Sequence, residues 1–125
     1  MFLVAVGSAV VSRFFFASLV RYFYHHLRPE FILANVHLII PSETEFSFPS
    51  GHAAFTFALA TGVYFYNKKL SLVFFILALF MGFSRVYAGV HWPFDIIGGA
   101  VLGVIIGIVG FWVFKLLKPR IKLLN

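Results

Sequence analysis

From Ile96 to Phe114 the chain runs through Ile, Gly, Ala, Val, Leu, Phe and Trp without a single charged residue. At about 1.5 Å of rise per residue, a helix of that length crosses most of a hydrocarbon core about 30 Å thick. The run extends from about Pro93 to Lys115 as a spanning helix, and Gly recurs through it and its neighbours, which suits helices packed in lipid. The rest of the chain agrees. Hydrophobic residues make up 62% of it and charged residues 11%, against about 45–50% and about 25% in an ordinary soluble domain. This is the composition of an integral membrane protein.

Three further apolar segments precede that run. Residues 2–20 form the first, interrupted by Ser8, Ser12 and Arg13; a lone Arg there is expected to snorkel or to pair within the protein. The second runs from Ser50 to about Tyr66 and the third from Leu70 to about Tyr87, divided by the Asn67-Lys68-Lys69 turn. The connection between the first two is polar, but Phe31–Ile40 is an apolar decapeptide, too short to span and read here as a short interfacial helix. Pro29 should end the first helix by pushing Arg28 out of the helical region. The expected fold is all-α: an integral membrane helical bundle of about four transmembrane helices plus a short interfacial helix, one domain over residues 1–125. Cys is absent, which excludes disulfides, thiol catalysis and thiolate metal sites.

The net charge is +6, yet the basic residues lie at helix ends and loops rather than along one face. That distribution argues against nucleic acid and for anionic lipid headgroups or a phosphorylated substrate. Alternating spans put the Arg21–His52 connection and the Arg85–Asp95 turn on one side. Met1, Lys68-Lys69 and the basic tail, with Lys115, Lys118, Arg120 and Lys122, fall on the other. The positive-inside rule makes that second side cytoplasmic, with both termini inside and the polar cluster facing outward.

The polar side carries three pieces with chemical content. Arg21 and Arg28 lie seven residues apart and share a face if the helix persists nearly to Pro29; guanidinium groups bind phosphate in bidentate fashion. Pro49-Ser50-Gly51-His52 opens a helix, where Ser50 can cap, unpartnered N–H groups attract anions, and Gly51 admits a ligand close to the backbone. Ser84-Arg85 and His91 lead to Asp95, the only aspartate in the chain, in the first turn of the last helix. A carboxylate on one imidazole nitrogen leaves the other free to attack. Each piece also has a structural reading: an interfacial basic residue, a Ser cap with a satisfied His, an acid stabilising a helix start. His25, His26 and His37 belong to none of the three and are expected to pack or to sit at the interface. With Glu30 or Glu43 they form no recognisable metal-ligand spacing, and Glu43 and Glu45 read as solvated loop charges.

Taken together, Arg-x6-Arg-Pro, Pro-Ser-Gly-His and Ser-Arg-x5-His-x3-Asp, in this order, resemble the type 2 phosphatidic acid phosphatase family. The family's first motif usually begins with Lys, and Arg21 replaces it. The resemblance implies a metal-independent phosphohydrolase without cofactor, acting on a lipid phosphate. His91 would be the nucleophile of a phosphohistidine intermediate, Asp95 its orienting acid and His52 the general acid. Arg21, Arg28, Ser50, Gly51 and Arg85 would hold the phosphate. An outward site on a small chain is most similar to bacterial undecaprenyl-diphosphate phosphatases. The alternatives are phosphatidylglycerophosphate or phosphatidate as substrate, or a non-catalytic lipid-phosphate binder. Family members commonly place two helices before the first motif, and only about twenty residues precede Arg21 here; the expectation is a fragment, a chain starting at a misassigned Met1, or a minimal variant that homo-oligomerises to cover exposed faces.

Overall fold

Helices whose backbones touch need small residues where they cross, and the last helix supplies them at regular spacing. The computed structural model describes residues 1–42 and 44–122, with side chains as far as Lys118. Its last helix, which we number α6, runs Pro93–Lys122 and lies against α4, Gly51–Tyr64. A Cβ added at Gly99 would come 2.5 Å from the carbonyl oxygen of Ser50, and one at Gly103 2.5 Å from that of Ala54. At Gly107 it would meet Thr61 Cβ at 2.6 Å. These three glycines, four residues apart, let α6 ride directly on the α4 backbone.

The N-terminal helix is continuous in direction but not in type. It comprises α1 (Phe2–Val10), a π-helical stretch (Val11–Phe16) and α2 (Ala17–Phe23). It packs against α4, where a Cβ at Gly62 would come 2.6 Å from Ala5 Cα, and against α6, where Gly110 faces Ser8. Helix α5 (Lys68–Tyr87) closes the bundle. Ser71 Oγ donates to the Ala60 carbonyl at 2.8 Å, and Gly82 leaves room for Ile96. Ala53, Ala54, Ala58 and Ala60 are fully buried, so α4 is the central element and the other helices turn large apolar residues outward. Leu72, Leu79, Phe80 and Phe83 of α5 are examples of that outward face.

Among the described residues, three helices are long and apolar enough to cross a membrane: Phe2–Phe23, Lys68–Tyr87 and Pro93–Lys118. The expected second span is shorter than the sequence reading had it. Helix α4 has 14 residues, about 21 Å at the helical rise, because Ser50 caps it at one end and a turn before Asn67 ends it at the other. The expected interfacial helix is also reduced. Only α3, Pro29–Ile32, is helical, and Leu33 is already extended. A decapeptide with no cap has too few hydrogen bonds to offset helix nucleation. Glu43, expected as a solvated charge, lies outside the described residues, as do the side chains of Arg120 and Lys122.

Candidate active site

The N-termini of α4 and α6 meet. Ser50 caps α4, its Oγ accepting from the Ala53 N–H at 3.4 Å, while its own N–H donates to the Asp95 carbonyl at 3.0 Å. Pro93 opens α6, and the Asp95 carboxylate folds back to accept from the Trp92 N–H at 2.7 Å through Oδ2. Between α5 and α6 the chain reverses at Gly89, whose φ of +78° suits a residue without Cβ. That reversal delivers His91 to Asp95: Nδ1 lies 3.4 Å from Oδ2. Asp95 is wholly buried and His91 nearly so.

Arg28 arrives from a different direction than the sequence spacing implied. The first helix ends at Phe23 and Tyr24 is extended, so Arg21 and Arg28 do not share a helix face. Arg28 is instead held in a loop pairing. Its N–H donates to the Glu45 carbonyl, Leu27 bridges Phe46, and its side chain donates to the carbonyls of Thr44 and Val90, the latter at 2.6 Å. Its Nη1 then stands 3.4 Å from His91 Nε2. Arg21 reaches the same place from α2, donating through Nε and Nη2 to the Pro49 carbonyl at 3.3 Å. Gly51 makes this possible, since a Cβ there would sit 2.7 Å from Arg21 Nη2. Arg85, in the last turn of α5, brings Nη2 to 2.8 Å from His52 Nε2.

These side chains line one cavity of about 150 Å³, walled by Arg21, Arg28, Gly51, His52, Arg85 and His91. Ser50 and Asp95 stand behind that wall rather than in it. The sequence reading missed two members. Arg13 also lines the cavity; its signal was a lone charge in an apolar run, where an ionisable residue is a functional candidate by default. His26 places Nδ1 3.6 Å from Asp95 Oδ1, the carboxylate oxygen that has no hydrogen-bond partner, and 3.1 Å from Ser47 Oγ. No spacing in the chain announced that contact.

The electrostatics are those of an anion site. Four guanidinium groups converge on the cavity, and Asp95 stands behind His91 rather than in the wall. Among the described residues no group of three His, Cys, Asp or Glu side chains comes together as a cation cage. Burial lowers the His91 pKa below the ordinary imidazole value; the Asp95 hydrogen bond opposes this, and Arg28 and Arg85 add to it. A neutral ring with its Nδ1–H turned to Asp95 leaves a lone pair on Nε2, facing the cavity.

The profile of the PAP2 superfamily matches residues 2–119, nearly the whole chain. The chain belongs to the PAP2 superfamily. Among curated PAP2 relatives, it is 36% identical over 105 residues to the undecaprenyl-diphosphatase BcrC of Bacillus subtilis, an alignment covering 84% of this chain and 54% of that one. It is 34% identical over 103 residues to an undecaprenyl-diphosphatase of Sulfolobus acidocaldarius, covering 82% and 46%. The PAP2 chain thus spans about half the length of these relatives. In the crystal structure of Aquifex aeolicus LpxE the fold recurs with a TM-score of 0.77 at 32% identity, covering 86% of this chain and 65% of that one.

Proposed function

We propose that this PAP2 chain is a metal-independent lipid phosphatase that removes the terminal phosphate of undecaprenyl diphosphate through a phosphohistidine intermediate. The observation that carries the reading is His91: Nδ1 on a buried carboxylate, Nε2 turned into a cavity walled by arginines. The names of the two undecaprenyl-diphosphatase relatives support the choice of lipid.

In the first step the His91 Nε2 lone pair attacks the terminal phosphorus, an N–P bond forms, and the bond from phosphorus to the bridging oxygen breaks. His52 gives its proton to that oxygen, and the lipid monophosphate departs. In the second step water attacks phosphorus, losing a proton to His52; the N–P bond breaks and inorganic phosphate leaves. Phosphoryl transfer needs in-line positioning and charge stabilisation above all. Arg21, Arg28 and Arg85, with the Gly51 N–H at the open end of α4, supply that stabilisation. Asp95 holds the tautomer and offsets the positive charge that His91 acquires. Arg85 stands beside His52, with its Nη2 2.8 Å from Nε2, so both reach the same end of the bound phosphate.

The same reading assigns an outward-facing site and cytoplasmic termini, because Lys68 and Lys69 lie at the end of α4 away from the cavity. The test is phosphate release by the full chain in detergent with excess EDTA, from undecaprenyl diphosphate, phosphatidylglycerophosphate and phosphatidate in parallel. Release that survives EDTA and vanishes in His91→Ala supports the mechanism and ranks the lipids. Release that requires added metal sinks it, and folded protein that binds lipid without turnover makes the chain a binder.

A further inference from the structure

Asp95 has two carboxylate oxygens, and His91 takes only one of them. Oδ2 accepts from the Trp92 N–H at 2.7 Å and faces His91 Nδ1 at 3.4 Å. Oδ1 is buried as well and has no hydrogen-bond partner among the described residues. A buried carboxylate oxygen without a donor is costly. The group placed against it is His26, with Nδ1 at 3.6 Å. Several contacts hold His26 there. The Ser47 N–H donates to the His26 carbonyl at 2.7 Å, and Trp92 Nε1 donates to the adjoining Leu27 carbonyl at 3.0 Å. The loop that carries His26 is thereby tied to the turn that carries Asp95. The imidazole lies parallel to the Tyr24 ring, with centroids 6.0 Å apart, and tilted against the Trp92 ring at 6.4 Å.

The hydrogen bonds around Ser47 fix the His26 tautomer. The Ser47 hydroxyl has one proton, which goes to the His26 carbonyl at 3.0 Å; toward His26 Nδ1, 3.1 Å away, Oγ is then an acceptor. His26 Nδ1 therefore carries a proton, and the Asp95 carboxylate lies between two ring N–H groups. We infer that His26 is a positioning residue for the nucleophile, its Nδ1–H holding Asp95 Oδ1 so that Oδ2 stays on His91, an assignment that rests on the phosphatase reading above and deepens it. At 3.6 Å the contact is longer than a hydrogen bond and too short to admit a bridging water. Such contacts are often long in an empty site and tighten in the reacting complex. A small rotation of the carboxylate closes this one, with the Nδ1–H shared between Ser47 Oγ and Asp95 Oδ1. A donor on Oδ1 favours the ionised carboxylate, which keeps the Nδ1 proton on His91 and the Nε2 lone pair free. His26 lies outside the cavity wall, so it acts on the substrate only through Asp95.

The test is steady-state phosphate release by the full chain in detergent, from whichever of the three lipids wild type turns over fastest. His26→Phe keeps a ring between Tyr24 and Trp92 and removes the donor. His26→Asn gives up the ring and keeps an N–H on the atom bonded to Cγ, where Nδ1 stands. The Phe variant should lose kcat by on the order of tenfold with KM little changed, and the Asn variant should lose several-fold less. A packing role alone gives the reverse order. In an Asp95→Asn background, His26→Phe should cost almost nothing further, because its effect passes through the carboxylate. Nitrogen-15 spectra of histidine-labelled wild type, at a pH where the ring is neutral, should show His26 protonated on Nδ1; this decides the matter if the Phe variant fails to fold. Wild-type kcat in His26→Phe, a loss in His26→Asn as large as in His26→Phe, an undiminished loss in the Asp95→Asn background, or an Nε2–H tautomer overturns the assignment and leaves the phosphatase reading standing. If wild type releases phosphate from none of the lipids, the phosphatase reading fails and this inference falls with it.

Discussion

Gly51→Ala separates the site from the scaffold more cleanly than any other single change. The new Cβ would stand 2.7 Å from Arg21 Nη2, inside the contact limit, and 3.5 Å from Arg13 Cγ, an ordinary contact. The clashing atom is the far end of a long, flexible side chain, so Arg21 shifts away from the Pro49 carbonyl and the helix does not move. Gly51 is the first residue of α4, outside the helix interior, so Ala there changes helix stability by less than about 1 kcal/mol. Moving Arg21 forfeits a charge-assisted hydrogen bond to the phosphoryl group, about 1.5–3 kcal/mol. That corresponds to a fall in kcat/KM of roughly ten- to a hundred-fold. The measurements are phosphate release and thermal unfolding of the same detergent-solubilised preparation. Activity should drop while the melting temperature changes little. Wild-type activity, or a loss of activity that tracks a lower melting temperature, would refute the placement of Arg21 over Gly51.

Other consequences are as specific. Asp95→Asn keeps an acceptor for the Trp92 N–H but removes the charge behind His91, so kcat should fall by on the order of a thousand-fold with KM little changed. Because burial lowers the His91 pKa, the neutral nucleophile persists to more acid pH than an ordinary histidine allows. The acid limb of kcat/KM should therefore lie below about 6.5, with a basic limb where the general acid loses its proton; a profile flat across this range with chemistry rate-limiting contradicts the two-histidine scheme. The same shift makes the fold less stable as pH drops below about 6.5, since the unfolded imidazole takes up a proton that the folded one resists. Gly103→Val would drive a side chain into the Ala54 carbonyl, and should lower the melting temperature and activity together. With no native Cys, single cysteines report topology cleanly: Glu45→Cys should label from outside intact cells and Tyr66→Cys only after permeabilisation.

What could be read from the chain in advance divides along a physical line. Apolar runs encode helices locally, so the bundle, the end of α5 and the start of α6 were legible, as was Ser50 as a cap, whereas α6 continues past the expected Lys115 to Lys122. The motif residues were legible because phosphate chemistry needs particular side chains in a particular order. What escaped was set by contacts distant in sequence. Arg28 owes its position to carbonyls at Thr44 and Val90, not to a helix shared with Arg21. His26 meets Asp95 only because the loop pairing around Leu27 and Phe46 brings it there. Arg13 was visible as an anomaly, but the π turn that aims it into the cavity has no signature in hydropathy. Helix α4 looked like a span by composition, while its 14 residues follow from where its two ends are capped.

The central claim is that His91 becomes covalently phosphorylated. Rapid acid-free quenching during turnover of terminally radiolabelled undecaprenyl diphosphate, followed by peptide mapping, tests it most directly. The account predicts an acid-labile, alkali-stable label on the peptide carrying His91, present in wild type and absent in His91→Ala. Turnover at full rate with no label on the protein, or a label on His52 instead, would contradict it.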